Sequence, residues 1–306
     1  MFKSKKNEFP CVNEKIYKEL LKDRTTNKNI CWATEIYTKY GDSYYPQEPI
    51  TVDLLYRRNK KVVEPRIKKS KLEQKKRTKS SAEVFTPSWM CNEQNNLVDE
   101  KWFGRENVFN ISRDKEWSAI KEKVEFPKEK DWKNYVSAVR LEVSCGEAPY
   151  LVSRYDTVSG QDIPIGQRIG LLDRKLRVVL ENTTTEEEWF KWVIKAYESI
   201  YGFEYQGDNL LIARENLLYT FIEYTREKFK HDPSEEQIKK IVKIISWNMW
   251  QMDGIKMTAP FSERERVNTQ ISFFEEFIPK EPIPCTIYDW KEKKVIEFKS
   301  MVNGGV

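Results

Sequence analysis

Histidine is all but missing from this 306-residue chain: the single one, His231, sits in a His-Asp-Pro-Ser step just ahead of a predicted helix start. That leaves no raw material for a Ser-His-Asp triad, a histidine-ligated metal or an imidazole base, and His231 reads as a loop residue. Cysteine is scarce and odd in number. The five, at positions 11, 31, 91, 145 and 285, form no Cys-x-x-Cys pair, which argues against a zinc site and a disulfide framework and makes reduced thiols the expectation. No apolar run approaches the roughly 20 residues that a membrane span needs. The opening MFKSKKNE lacks the apolar core of a signal peptide. The expectation is a cytoplasmic protein with no membrane partner and no metal.

What is present describes a globular protein: 33% of residues are charged and 39% hydrophobic, enough to bury an α/β core as one large or two modest domains. The net charge is only +5, but it is unevenly placed. Between Arg57 and Ser80 stand twelve cations (Arg57, Arg58, Lys60, Lys61, Arg66, Lys68, Lys69, Lys71, Lys75, Lys76, Arg77, Lys79) against Glu64 and Glu73, so this segment carries +10 and the rest of the chain −5. A basic strap on a mildly acidic body is the electrostatic footprint of a nucleic-acid contact, because phosphate contacts release counterions. A solvated linker is the other reading of the same charges.

Along the chain, residues 14–22 show a short helical pattern, and residues 30–40 look aromatic and extended with no evident chemistry. Residues 1–80 thus read as an N-terminal extension that includes the basic strap at 57–80, and residues 81–306 as the main domain. Residues 92–133 are expected to be a loop-rich insertion holding Trp102, Trp117 and Trp132. From Tyr135 the pattern turns α/β: 136–143 alternates like a strand, 168–182 is amphipathic, 186–200 reads as a helix, and 201–205 as a short strand. Asp208 is expected to cap a helix over 209–230, and Ser234-Glu-Glu-Gln237 is a capping-box start for another towards Trp247. Strand and helix in alternation is the doubly wound signature.

Three segments carry chemistry in a fixed order: Ala82 to Pro87 (AEVFTP), Leu141 to Leu151 (LEVSCGEAPYL), and Ile200 to Asn209 (IYGFEYQGDN). Gly146 lets the backbone approach a ligand closely, having no Cβ. Together these segments resemble the S-adenosylmethionine (SAM) site of DNA adenine-N6 methyltransferases of restriction-modification systems. The resemblance implies an α/β fold with a Rossmann-like SAM-dependent methyltransferase core, here incomplete, and SAM as cofactor. It implies that Phe85, Thr86 and Pro87 lie over the methionine end of the cofactor, and that Glu142, Cys145 and Gly146 form the turn beneath it, with Ala148 where many relatives carry a second glycine. Glu204 would accept the ribose hydroxyls, as an acid does in dinucleotide folds. Asp173 competes for that role, but residues 171–180 look like a helix rather than a strand end. Asp253, in NMWQMDG, matches the acid that caps the adenine amino group.

The family's catalytic Asn-Pro-Pro-Tyr is missing. Asn303 sits about where its asparagine belongs, but Gly304, Gly305 and Val306 replace the prolines and the aromatic ring; Thr258 to Phe261 (TAPF) is a weaker counterpart. The resemblance covers residues 82–306 and only the SAM-binding half of the family's fold. It implies double-stranded DNA as substrate and a second protein subunit that supplies the catalytic motif and target recognition. A non-catalytic module of the same fold, binding DNA or a partner protein, and a Rossmann-like protein using another nucleotide are the competing readings.

Overall fold

The structure, a computed structural model, describes residue 9 and residues 11–57, 60–81, 85–267, 276–279 and 281–303. In chain order the elements are α1 (Glu14–Leu20), a hairpin of β1 (Tyr56–Arg57) and β2 (Lys60–Lys61), α2 (Lys71–Ser81), α3 (Ser88–Phe103), a hairpin of β3 (Asn110–Arg113) and β4 (Glu116–Ala119), α4 (Trp132–Ser137) and β5 (Arg140–Glu142). There follow α5 (Leu171–Asn182), α6 (Glu186–Glu198), β6 (Ile200–Glu204), α7 (Gly207–Phe229), α8 (Glu235–Asn248) and β7 (Met249–Gln251). Two further antiparallel hairpins, β8 (Arg264–Val267) with β9 (Glu276–Pro279) and β10 (Thr286–Asp289) with β11 (Lys294–Glu297), and a final α9 (Phe298–Asn303) complete the chain.

The fold is mixed α/β around a small three-stranded parallel sheet in the order β5-β6-β7. Arg140 lies opposite Ile200, and Gly202 opposite Met249. Side chains of successive strand residues point to opposite faces, and this alternation divides the core in two. Ile200 and Met249 join the large cluster formed with the helices, while Phe203 and Trp250 pack with Cys285 just before β10, Ile287 of β10 and Phe298 of α9.

The central element is α7. Leu210, Leu211, Ile212, Ala213, Leu217, Leu218, Phe221 and Ile222 distribute apolar groups all round it, so the helix is buried on every side through its first three turns. Arg214 in its middle is fully buried and donates to the carbonyls of Leu20, Lys22, Ser246 and Met249, tying α1, α8 and β7 to one guanidinium. The N-terminal segment, expected as an extension, packs into the same core: Ile16, Leu20, Trp32 and Ile50 are buried there. Gln251 of β7 both accepts from Cys31 N and donates to Cys31 O, each at 2.9 Å, which seats the segment at the end of the sheet.

Several local expectations are corrected. Of the residues expected as a strand over 136–143, Val136 and Ser137 close α4, because the Asp131–Asn134 capping box nucleates a helix that buries Tyr135 and Val136; only 140–142 pair as strand. Residues 92–103, expected as loop, belong to α3, which stops where Gly104 adopts φ +71. The aromatic stretch at 30–40 holds one isolated bridge, at Cys31, and turns that end in a short 3-10 helix at Thr38–Tyr40, rather than a strand. Asp208 is not a cap: α7 begins at Gly207, and the Asp208 carboxylate turns instead to Tyr37 and Arg77. The Ser234–Gln237 capping box forms as the sequence predicts.

Candidate functional site

Parallel sheets of this kind bind ligands outside the carboxyl ends of their strands, and there three acids gather. Glu142 ends β5, Glu204 ends β6, and Asp253 follows β7 by two residues. The chain leaves β5 in a tight turn anchored by Cys145 N donating to Phe203 O at 2.9 Å. Ser144 (φ +50), Gly146 (φ +53) and Ala148 (φ +63) all lie in the left-handed region. The conformation of Ala148 supplies a physical reason for a glycine there, since a Cβ in this region costs roughly 1 to 2 kcal/mol.

Glu204 is buried and held by this turn and by the residues that lead into α7. Its Oε2 accepts from Gly146 N at 2.8 Å, and its Oε1 accepts from Tyr205 N at 2.9 Å and Gln206 N at 3.0 Å. Burial pushes its carboxyl above the usual range, against the pull of those three bonds. Glu142 is buried with less support: Oε1 receives a long bond from Tyr150 N at 3.4 Å, and Oε2 has no hydrogen-bond partner among the described residues. Burial holds its carboxyl well above the ordinary range, and the nearby Glu204 adds to that. Cys145 is likewise buried with its thiol pushed up, first by burial and then by the two glutamates, which disfavours the thiolate.

The Phe85-Thr86-Pro87 segment lies against this turn. The Phe85 ring would be 3.8 Å from a Cβ at Gly146, and Thr86 O accepts from Thr157 Oγ1 at 3.0 Å. Ser88 N, just past Pro87, donates to Asp156 Oδ2 at 2.7 Å, fixing the start of α3. Phe85, Thr86, Glu142, Cys145, Gly146, Ala148 and Glu204 are therefore brought together. Asp253 stands one strand further along, where Met252 N donates to Glu204 O at 3.1 Å; its Oδ1 accepts from Ile255 N and Lys256 N, closing a turn. Asp173 is fully buried on α5 and accepts from Ser153 N and Oγ. Asn303 ends α9 after an antiparallel hairpin, so it does not follow a fourth parallel strand. Its side chain lies outside the described residues, as do Gly304 to Val306.

The basic segment is not one extended strap. It folds as the β1–β2 hairpin, a turn of 3-10 helix at Arg66–Lys68, and α2. Several of its cations turn inward. Arg77 is fully buried and donates to Asp208 Oδ2 at 2.7 Å, Gln206 Oε1 at 3.2 Å and Asn209 Oδ1 at 3.1 Å. Lys61 pairs with Glu215 of α7. Arg66 N donates to Glu147 Oε1 at 2.7 Å while its guanidinium lies 5.0 Å from the Phe85 ring centre, which joins the basic segment to the strand-end turn. Lys60, Lys68, Lys71, Lys75 and Lys79 face outward, as does Arg57, whose guanidinium rests on the Tyr40 ring. Arg58 and the side chain of Lys76 lie outside the described residues.

Arg57, Lys60, Lys61, Lys68, Lys69 and Arg77 also line a cavity of about 660 Å³. The N-terminal segment completes its wall with Lys39, Tyr37 and Tyr40, residues in which the sequence showed no chemistry. The available signal was the Tyr-Thr-Lys-Tyr run at 37–40, a cation between two aromatic rings.

No protein-family model, no curated protein and no solved structure matches this chain. Among the described residues no helix is long and apolar enough to cross a membrane, and no cluster of potential metal ligands occurs.

Proposed function

We propose that the chain is a SAM-binding, DNA adenine-N6 methyltransferase-like subunit of a restriction-modification or related DNA-handling system, built on a Rossmann-like core that a partner chain completes. The observation that carries the reading is the convergence of the Glu142 to Ala148 turn, Glu204 and the Phe85-Thr86 segment at the carboxyl ends of neighbouring parallel strands. The residues fit the cofactor's chemistry: a buried carboxyl oxygen on Glu142 lacks a hydrogen-bond partner among the described residues, and Gly146 keeps the turn free of a side chain. SAM would supply an electrophilic methyl group. This chain's contribution would be to hold the cofactor, with the acid of Glu204 towards the ribose and Asp253 towards the adenine, and to bring DNA near through the outward lysines of α2.

Catalytic competence is read as depending on a partner. A glycine pair after Asn303 does not impose the fixed turn that aims an amide at the target amine, and valine does not stack on a flipped base. Irradiation with SAM labelled in its methyl group should crosslink peptides containing residues 85–87 or 142–150. Methyl incorporation into mixed-sequence duplex should be negligible with the chain alone and appear when the products of adjacent genes are added. Crosslinks elsewhere would remove the cofactor assignment, and turnover by the chain alone would remove the need for a partner.

The competing reading, a non-catalytic module of the same fold, draws support from one feature. All three short bonds to Glu204 come from the protein's own backbone, so this acid already has a structural task.

A further inference from the structure

The cavity beneath the basic segment holds more positive charge than the fold neutralises. Seven Lys or Arg line it, against Glu64 and Glu73 in its wall and two carboxylates that reach its cations from α7, Asp208 and Glu215, which leaves an excess of three among the described residues. The pairing is unequal as well as incomplete. Arg77 takes Asp208 at 2.7 Å, so Lys69, only 10% exposed, has the same carboxylate at 3.5 Å and no hydrogen-bond partner for its ammonium among the described residues. Among the described residues Arg77 and the largely covered Lys69 thus both lean on the Asp208 carboxylate, and in a poorly solvated wall a surplus of charge is felt far more strongly than at an open surface.

Shape selects among anions. About 660 Å³ is in the range of small-molecule sites, roughly 300 to 1,000 Å³, and exceeds what a single carboxylate or sulfate would fill. Lysines act as point charges towards phosphate oxygens, while Tyr40, Ile36 and Val62 give the same cavity a flat and apolar portion of wall. A duplex is convex, so its backbone reaches the outward lysines of α2 more readily than a recess backed by Lys69 and Arg77.

We propose that this cavity binds a nucleoside phosphate, with the phosphates against the Lys39, Lys68 and Lys69 side and the base against the apolar wall. A free nucleotide and the 5′-phosphorylated end of a single strand present this same chemistry. The site is separate from the proposed cofactor site, so SAM binding can fail while this inference holds, and the reverse.

The test is calorimetric titration of the full chain with ADP, with adenosine, and with a short single-stranded oligonucleotide bearing either a 5′-phosphate or a 5′-hydroxyl. ADP should bind and adenosine should not. Lys69→Met should weaken ADP at least tenfold, and the double variant Lys39→Ala/Lys68→Ala, made at sites nearer the surface, should do the same with an unchanged thermal midpoint. Binding of the phosphorylated strand at least tenfold tighter than the hydroxyl strand, without ADP binding, would assign the site to strand ends and also support the proposal. Failure of both ADP and the phosphorylated strand to bind, or binding that the double variant leaves untouched, would overturn it.

Discussion

Glu142→Gln should change how stability depends on pH more than it changes stability itself. The Glu142 carboxyl is buried, one oxygen accepts a long bond from Tyr150 N at 3.4 Å, and the Tyr150 and Leu151 backbone groups give it only partial support against burial. Burial, reinforced by Glu204, holds its pKa well above the ordinary range. An acid harder to ionise in the fold than in the open chain contributes its full stability below the open-chain pKa, about 4.3. It loses that contribution as pH rises towards the folded value, because the unfolded chain then gives up a proton that the fold keeps. One retained proton is worth about 1.4 kcal/mol per pH unit, so between pH 5 and 7 the wild type should lose stability with a slope of up to that size for as long as the fold keeps the proton. Glutamine has nearly the same shape and does not titrate. Urea unfolding of both proteins across that interval should show the variant gaining on the wild type as pH rises. Parallel stability curves would refute the assignment of Glu142 as a carboxyl kept neutral by burial.

Other substitutions probe the framework around the site. Arg77→Met leaves Asp208 fully buried with, among the described residues, only the more distant Lys69 as counter-charge, and should cost about 3 kcal/mol in denaturant unfolding, as breaking a buried pair does; a loss below about 1 kcal/mol would show that Lys69 moves in to replace it. Gly207→Ala would bring a Cβ within 1.9 Å of Cys31 O. Despite the better helix propensity of alanine, by up to about 1 kcal/mol, it should destabilise by about 3 kcal/mol through forced backbone displacement, and a stabilised variant would contradict the packing of the N-terminal segment on α7. Lys71, Lys75 and Lys79 lie at four-residue spacing on the exposed face of α2. Changing all three to alanine should weaken binding equally on all duplex sequences and reduce the salt dependence by about 0.9 for each phosphate no longer neutralised, with no change in melting temperature; unaltered affinity at low salt would return this face to an ordinary solvated surface.

The parts of the fold legible in the sequence were those written in local chemistry. The Ser234–Gln237 capping box, the amphipathic stripes of α5 and α6 and the short strand just after residue 200 need only near neighbours to be recognised. What was not legible depends on distant partners. Asp208 has the composition of a helix cap, and only the fold reveals that Tyr37 and Arg77, far away in sequence, claim its carboxylate. The strand expected over 136–143 gave way because a capping box upstream and the buried rings of its neighbours made helix the better use of Tyr135 and Val136. At the candidate site, the glycine turn and the acids at strand ends could be picked out as motifs. The bond from Gly146 N that ties Glu204 to the β5 turn, and the cavity joining the basic segment to Lys39 and Tyr40, could not, since both arise from chain segments brought together only in three dimensions.

Calorimetric titration of the purified chain with SAM tests the central claim most directly. The account predicts saturable binding of one SAM per chain, weakened at least about tenfold by Glu204→Ala, because a hydrogen bond to a charged group is worth roughly 1.5 to 3 kcal/mol, while Asp173→Ala, on α5, leaves the affinity unchanged in protein that remains folded. Absence of binding at millimolar SAM, or binding that Glu204→Ala leaves intact and Asp173→Ala abolishes, would contradict it.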